Sequence, residues 1–166
     1  MRQQRNHSII VKPVNESYKE KKDLRNLFHY ICREDKAIHH LYRSYGCRIK
    51  NAELAAKDFL KVKEFFNKHP STLARHKVIS FEDGAFSIPQ QAFEIAKEIA
   101  TYYTDYFQVA YAVHEDRNEN SKLNKNYHIH LIINSVNYKN GKIFHEGPPN
   151  NIKFQKYIEE IMEFYE

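Results

Sequence analysis

The chain has 166 residues, with 26 Lys and Arg against 21 Asp and Glu, a formal charge of +5 and a sequence pI ≈ 9.0. That length suits one domain, residues 1–166, with a real core, and the basic balance favours an acidic partner such as nucleic acid. No apolar run approaches the ~18 residues of a membrane span, the opening MRQQRNHS lacks the apolar block of a secretion signal, and two cysteines, Cys32 and Cys47, argue for a reducing compartment without a disulfide framework.

In chain order, His7 to Pro13 reads as a short strand closed by its proline. Lys21 to Glu34 reads as a helix, with Leu24, Leu27, Phe28 and Ile31 at i, i+3, i+4, i+7 as its buried stripe. Tyr30 falls roughly a quarter-turn off that stripe, a position open to flanking packing or to a cleft. Lys36 to Cys47 is basic and aromatic without a period, and reads as irregular or a short helix. Asn51 to Lys68 is a helix ended by His69-Pro70. Ala74 to Glu82 is a strand with His76, Val78, Ser80 and Glu82 on one face. Ser87 and Gln90 fit a capping box, with Pro89 in the first turn of a helix to about Tyr103.

Two further strands follow, Phe107 to His114 and Tyr127 to Asn134, joined by a polar insert over Arg117 to Asn126. Asn140-Gly141 predicts a hairpin that returns Lys142 to His145 against Ser135 to Tyr138. Asn151 to Glu166 reads as a last helix. Strands separated by helices and closed by a meander predict an α+β fold: one antiparallel-rich sheet of about five strands with helices packed on it. There is no internal repeat and no linker.

The chemistry concentrates in VHEDRNENSKLNKNYHIHLIIN, Val113 to Asn134. His128 and His130 stand two apart on a strand, so both imidazoles share a face while Ile129, Leu131 and Ile133 point into a core. His114 shares a face with Gln108, Ala110 and Ala112, small neighbours that leave room beside it. If the two strands pair, three imidazoles converge. Such a set binds Mn, Ni, Co or Zn and leaves positions for substrate oxygen. His7, His29, His39, His40 and His69 read as surface or incidental. A positive metal site on a basic, tyrosine-rich chain suggests phosphodiester chemistry, with a tyrosine available as nucleophile. Twelve tyrosines do not by themselves say which one acts.

At these residues the sequence resembles a known family. VHEDR followed by HIHLIINSVNYKNGKIFH resembles the third signature of plasmid mobilization relaxases, within the HUH endonuclease superfamily. RHKVISFEDG is similar to their second signature, and LRNLFHYICREDKA to their first, a helical segment carrying the catalytic tyrosine and followed by a basic residue. Tyrosine precedes histidines, the relaxase order; rolling-circle replication initiators have the reverse. The similarity spans roughly residues 7–146. It departs at Asn126, where many relatives have a further histidine, at Ala85, where an acid is frequent, and in the long interval from His114 to His128.

The resemblance implies a palm, or ferredoxin-like, relaxase fold and strand-specific nicking of single-stranded origin DNA. Tyr30 matches the nucleophile, forming a 5′-phosphotyrosyl link. His114, His128 and His130 match ligands of one divalent ion, Mn or Mg before Zn, Ni or Co. Asp116 matches a position able to orient a ligand, Glu82 could supply an acid near the metal, and Ser80 matches a position that holds DNA at the nick. Arg33, Lys36, Arg43, Arg75 and Lys77, with Arg48 and Lys50, are DNA-binding candidates, interleaved with Tyr42, Tyr45 and Phe81. Implied partners are accessory origin-binding proteins and a coupling ATPase in a bacterial cytoplasm, with no membrane; the chain would be the N-terminal part of a longer protein. The competing expectations are another tyrosine HUH nuclease, of replication or transposition, and a non-catalytic origin-binding module.

Overall fold

A computed structural model describes residues 8–116 and 126–165, the side chains of residues 38 and 39 apart. The polar insert therefore lies outside the described residues, except for Asn126. The elements are β1 (Ile10–Pro13), α1 (Lys21–Ile31), β2 (Ala37–Tyr45), α2 (Ala52–Phe65), β3 (Ala74–Ser80), α3 (Pro89–Thr104), β4 (Val109–Asp116), β5 (Asn126–Asn134) and α4 (Pro148–Tyr165). The five strands form one antiparallel sheet in the order β1-β3-β5-β4-β2. This is the α+β architecture expected, with helices on both faces of the sheet.

Period-two alternation divides the strands between two cores. Ile79, Tyr111, Val113, Ile129, Leu131 and Ile133 face α3 and α4, packing on Ile95, Ile99, Phe154 and Ile158. Ala74, Ala110, Ala112 and Ile132 face α1 and α2, packing on Leu24, Leu27, Phe28, Ile31 and Phe59. Phe28 and Phe59 meet edge to face with centroids 5.1 Å apart, a contact worth ~1 kcal/mol beyond the area it buries. It ties α1 to α2. The small alanines of β4 let α1 approach the sheet closely, and so set where its last turn, bearing Tyr30, comes to rest.

The helix ends follow local chemistry. The Asp23 carboxylate accepts from the backbone N–H of Lys19 and Glu20, both at 2.9 Å, closing the start of α1. Asn51 caps α2 by accepting from Leu54 N at 3.0 Å. In α3 the cap falls one residue later than the sequence pattern suggests: Ile88 is the N-cap, and Gln91 Oε1 accepts from Ser87 N and Ile88 N. Pro148 and Pro149 open α4, three residues before the expected start.

Two expectations are corrected. Residues 37–45 are an edge strand, paired with β4, and not irregular or helical. The period is hidden because Ala37 pairs with His114 and Tyr42 with Ala112, so four residues bulge opposite one, with His40 at φ +58°. The bulge resets the alternation that a sequence pattern needs. Residues 142–145, in turn, do not form the fifth strand. The Asn140-Gly141 turn is present, with Gly141 at φ +72°, but the arms meet at one bridge, Val136 to Ile143.

Candidate metal centre

Register places the site. Across the sheet, Ile10, Ser80, His128, His114 and Ala37 lie in one row on β1, β3, β5, β4 and β2. The row two residues along holds Val78, His130 and Ala112. Opposed side chains on one face of antiparallel strands are ~5 Å apart, so His114, His128 and His130 must cluster. Their imidazole centroids are 4.3, 4.9 and 5.4 Å apart. Each offers one nitrogen to a group whose ligand atoms all lie within 4.8 Å of one another.

The hydrogen bonds decide which nitrogens those are. His114 Nε2 is 2.8 Å from Ile31 O, a carbonyl that can only accept, so Nε2 carries the proton and buried Nδ1 is left with a lone pair and no hydrogen-bond partner. His128 Nδ1 lies 3.2 Å from Asp116 Oδ1, off the line of a good hydrogen bond but close enough to draw the proton to that side. His130 Nδ1 is 2.8 Å from His76 Nε2. His128 Nε2 and His130 Nε2 face each other at 3.0 Å. His114 Nδ1 with the two Nε2 atoms makes a three-nitrogen donor set that fits a divalent ion and leaves further positions open.

Electrostatics agrees with the geometry. Burial pushes His114 down to about 4, and the charges of His128 and Lys36 add to that against the Ile31 bond. Burial lowers His128 too, partly opposed by Asp116. His130 is lowered furthest, by burial and then by the three imidazoles around it. All three stay neutral near pH 7, the form that ligates metal.

Tyr30 sits on the last turn of α1, half-buried, its ring edge-on to His114 at 5.8 Å and to His130 at 5.3 Å. The carbonyl of the next residue, Ile31, is the one that takes the His114 proton. It is also one of the carbonyls that a helix end leaves unpaired. One bond thus satisfies the helix terminus, orients a candidate ligand and seats the tyrosine. Lys36 Nζ lies 5.8 Å from the Tyr30 ring centroid.

The other sequence-predicted residues divide by location. Ser80 is half-buried on the histidine face, in register with His128. Asp116 holds His128 from outside the three-nitrogen cluster, and Glu82, half-buried, lies two residues past β3. Arg33 is forked onto Asp35 at 2.6 and 3.0 Å, and Arg48 onto Asp58 at 2.7 and 2.9 Å. Arg43 pairs in register with Tyr111 and lies over Phe93 of α3, on the face away from the histidines. Arg75 and Lys77 alternate with His76 and share that far face. Lys77 is 1 % exposed, with its ammonium held by Glu146 and by Asn151, so a DNA contact there would require breaking a buried ion pair. Asn126, in the position of a further histidine, donates to Asp83 Oδ1 at 2.6 Å.

The residue sequence reasoning missed is His76. It reads as one member of a strand face, yet β3 flanks β5 and brings it diagonally against His130, with their centroids 5.1 Å apart. The signal was there, a histidine on the Ser80 face, but its use depends on a strand register that sequence does not state. Beside it a cleft of about 580 Å³ is lined by Glu16, Tyr18, Asn26, Tyr30, His76 and His130, among others. Among the described residues no helix is long and apolar enough to cross a membrane.

Comparison with curated proteins gives no match. A family model for the MobA/VirD2-like relaxase nuclease domain does match, over residues 30–166, from the tyrosine through all three histidines to the chain's last residue. With most of its length so matched, and Tyr30 packed against a cluster of His114, His128 and His130, the chain belongs to the MobA/VirD2-like relaxases, as a DNA-nicking nuclease domain of that family.

Proposed function

We propose that this domain nicks and rejoins one strand of DNA at an origin of transfer, and so starts the mobilization of a plasmid. The observation that carries the reading is Tyr30 edge-on to His114 and His130 at the mouth of the cleft. In the proposed reaction Tyr30 Oη attacks the scissile phosphorus of single-stranded DNA and loses its proton. The bond from phosphorus to the 3′ oxygen breaks, that oxygen takes up a proton, and the 5′ phosphate stays on the tyrosine. Attack by a 3′-hydroxyl on the phosphotyrosine reverses the step and rejoins the strand.

His114, His128 and His130 would hold one divalent ion, Mn or Mg, which supplies positive charge to a phosphoryl oxygen. Asp116 keeps the His128 lone pair aimed inward. Ser80, beside His128, is placed to donate to a phosphate oxygen, and Lys36 puts positive charge where negative charge develops on Tyr30 and the phosphate. In this reading the domain is the front part of a longer protein that works with origin-binding accessory proteins and a coupling ATPase in the bacterial cytoplasm.

The test is a labelled, tiled set of single-stranded oligonucleotides from the transfer region, incubated with the protein and Mn or Mg. An adduct that survives denaturation, and disappears with Tyr30→Phe or a chelator, is the expected result. Tight, sequence-specific binding with no adduct under either metal overturns it in favour of an origin-binding module.

A further inference from the structure

Behind His130 the hydrogen bonds continue, and the next three residues have no part in the reaction described above. His130 Nδ1 is 2.8 Å from His76 Nε2. His76 Nδ1 is 3.0 Å from the Tyr18 hydroxyl, and that hydroxyl is 3.4 Å from Glu16 Oε2. His76 and Tyr18 are 6 % and 5 % exposed, so water does not compete for the bonds of His76, while Glu16 at the end of the series is exposed. Tyr18 lies just ahead of α1, His76 is on β3, and both stand against the cleft that Tyr30 overlooks.

Each interior link of such a chain can run either way, because an imidazole and a phenol both donate and accept. The last link cannot. A carboxylate only accepts, so with the Tyr18 hydroxyl donating along its 3.4 Å contact to Glu16, the Tyr18 oxygen is left to accept from His76 Nδ1–H at 3.0 Å. His76 Nε2 is then the acceptor, His130 Nδ1 must carry a proton, and the lone pair of His130 is confined to Nε2, the atom facing His128. In the opposite polarity the His130 proton would sit on Nε2, inside the cluster, and block the donor set. Of the other two histidines, His114 is fixed by a direct acceptor, Ile31 O, and His128 Nδ1 lies 3.2 Å from Asp116 Oδ1.

We infer that His76, held by Tyr18 and Glu16, is a positioning residue that fixes the tautomer and ring orientation of His130 and so completes the metal-binding set. The inference adds to the proposed function the residue that makes the third ligand competent, and it rests on that reading only for what the metal is used for. Tyr18 is thereby assigned a structural task and is not a second nucleophile: it is buried, and burial together with Glu16 holds its hydroxyl well above the usual tyrosine range.

Two measurements without DNA test it. In metal-free protein labelled with 15N at histidine, long-range proton–nitrogen correlations should show His130 protonated on Nδ1, with that proton protected from exchange. Second, competition with a chromophoric chelator should show Mn or Co bound about 10- to 100-fold more weakly by His76→Phe, the loss typical when a ligand's supporting group is removed. Tyr18→Phe, which keeps the ring and deletes the hydroxyl, should weaken binding by a smaller factor and mix the two His130 tautomers. Finding His130 protonated on Nε2 in the wild type, or a folded His76→Phe that binds metal as tightly as the wild type, overturns the inference. If His76→Phe does not fold, the wild-type tautomer and Tyr18→Phe decide. Wild-type protein that binds no metal would sink the proposed function while leaving the tautomer result to be read by itself.

Discussion

One face of the β4–β5 pair carries two buried polar clusters, one at each end, with Ala110, Ala112 and Ile132 between them. At the far end Gln108 and Asn134 are opposed, and every strong group they own is used. Asn134 Nδ2 donates to Gln108 Oε1 and to Phe59 O, while its Oδ1 accepts from Lys63 and from Val136 N. Gln108 Nε2 donates to Gly46 O and Asp58 O. At the near end the histidines are also held from outside, yet His114 Nδ1 has no hydrogen-bond partner among the described residues, and His128 Nε2 and His130 Nε2 face each other at 3.0 Å. The two clusters differ in how their polar groups are used, and His128 is half-buried where Gln108 and Asn134 are buried. The first is saturated and locks α2 to the sheet, while the second leaves convergent acceptors beside a cleft. A buried polar cluster reads as a site when its free lone pairs converge.

The widest break between the two ends should come from exchanging their deletions. His128→Ala removes a donor at the rim and should lower metal affinity more than ~100-fold, beyond the loss from a supporting group, with little change in the melting of metal-free protein. Asn134→Leu should do the reverse. It strips partners from Lys63, Gln108 and Phe59 O and should cost about 3 kcal/mol of stability, with metal affinity within about threefold of wild type. Chelator competition and denaturant unfolding on both variants check this; a metal defect in Asn134→Leu would show that the ends are not separate.

A second contrast is in pH. Lys63 is 3 % exposed, with no carboxylate partner among the described residues, and burial pushes it down to about 7 from an ordinary lysine value. Between about 7 and the ordinary lysine range near 10.4 the unfolded chain binds the extra proton, so stability should rise with pH across that window. The histidine end has the same sign in a lower window. His114 and His76 are pushed down to about 4 by burial, so stability falls as pH drops from the ordinary histidine range near 6.5 towards 4. Lys63→Met should flatten the upper slope and leave the lower one, measured by urea unfolding across pH.

How much of this was legible beforehand follows from which interactions are local. Period two put His128 and His130 on one face and Ile129, Leu131 and Ile133 on the other, and both faces are as read. The 3.6-residue stripe of α1 placed Tyr30 at its margin, where it lies. What sequence could not supply was register and partner. His76 escaped because its role depends on β3 lying beside β5 with Val78 opposite His130. β2 escaped because its bulge erases the alternation, and the fifth strand was sought in residues 142–145, whose turn is real but whose arms make a single bridge. For the basic residues, composition does not say which face a lysine takes or which carboxylate holds an arginine, as Lys77 on the far face and Arg33 on Asp35 show.

That last point gives the smallest effect and the finest test. Of the two lysines on either side of the sheet, Lys36 is exposed by the Tyr30 ring and Lys77 is buried on the far face against Glu146. A phosphate contact adds about 0.7 to the slope of log affinity against log salt for single-stranded DNA, whereas an internal ion pair adds nothing because no counterion is released. Lys36→Gln should therefore reduce that slope by about 0.7 and slow adduct formation roughly tenfold, the scale of losing a charge near a developing anion. Lys77→Met should lower stability and leave the salt slope alone. Fluorescence anisotropy with a labelled oligonucleotide across salt concentrations separates the two. An equal slope change in both variants would mean that DNA reaches the α3–α4 face, and that the strand does not stay on the histidine side of the sheet.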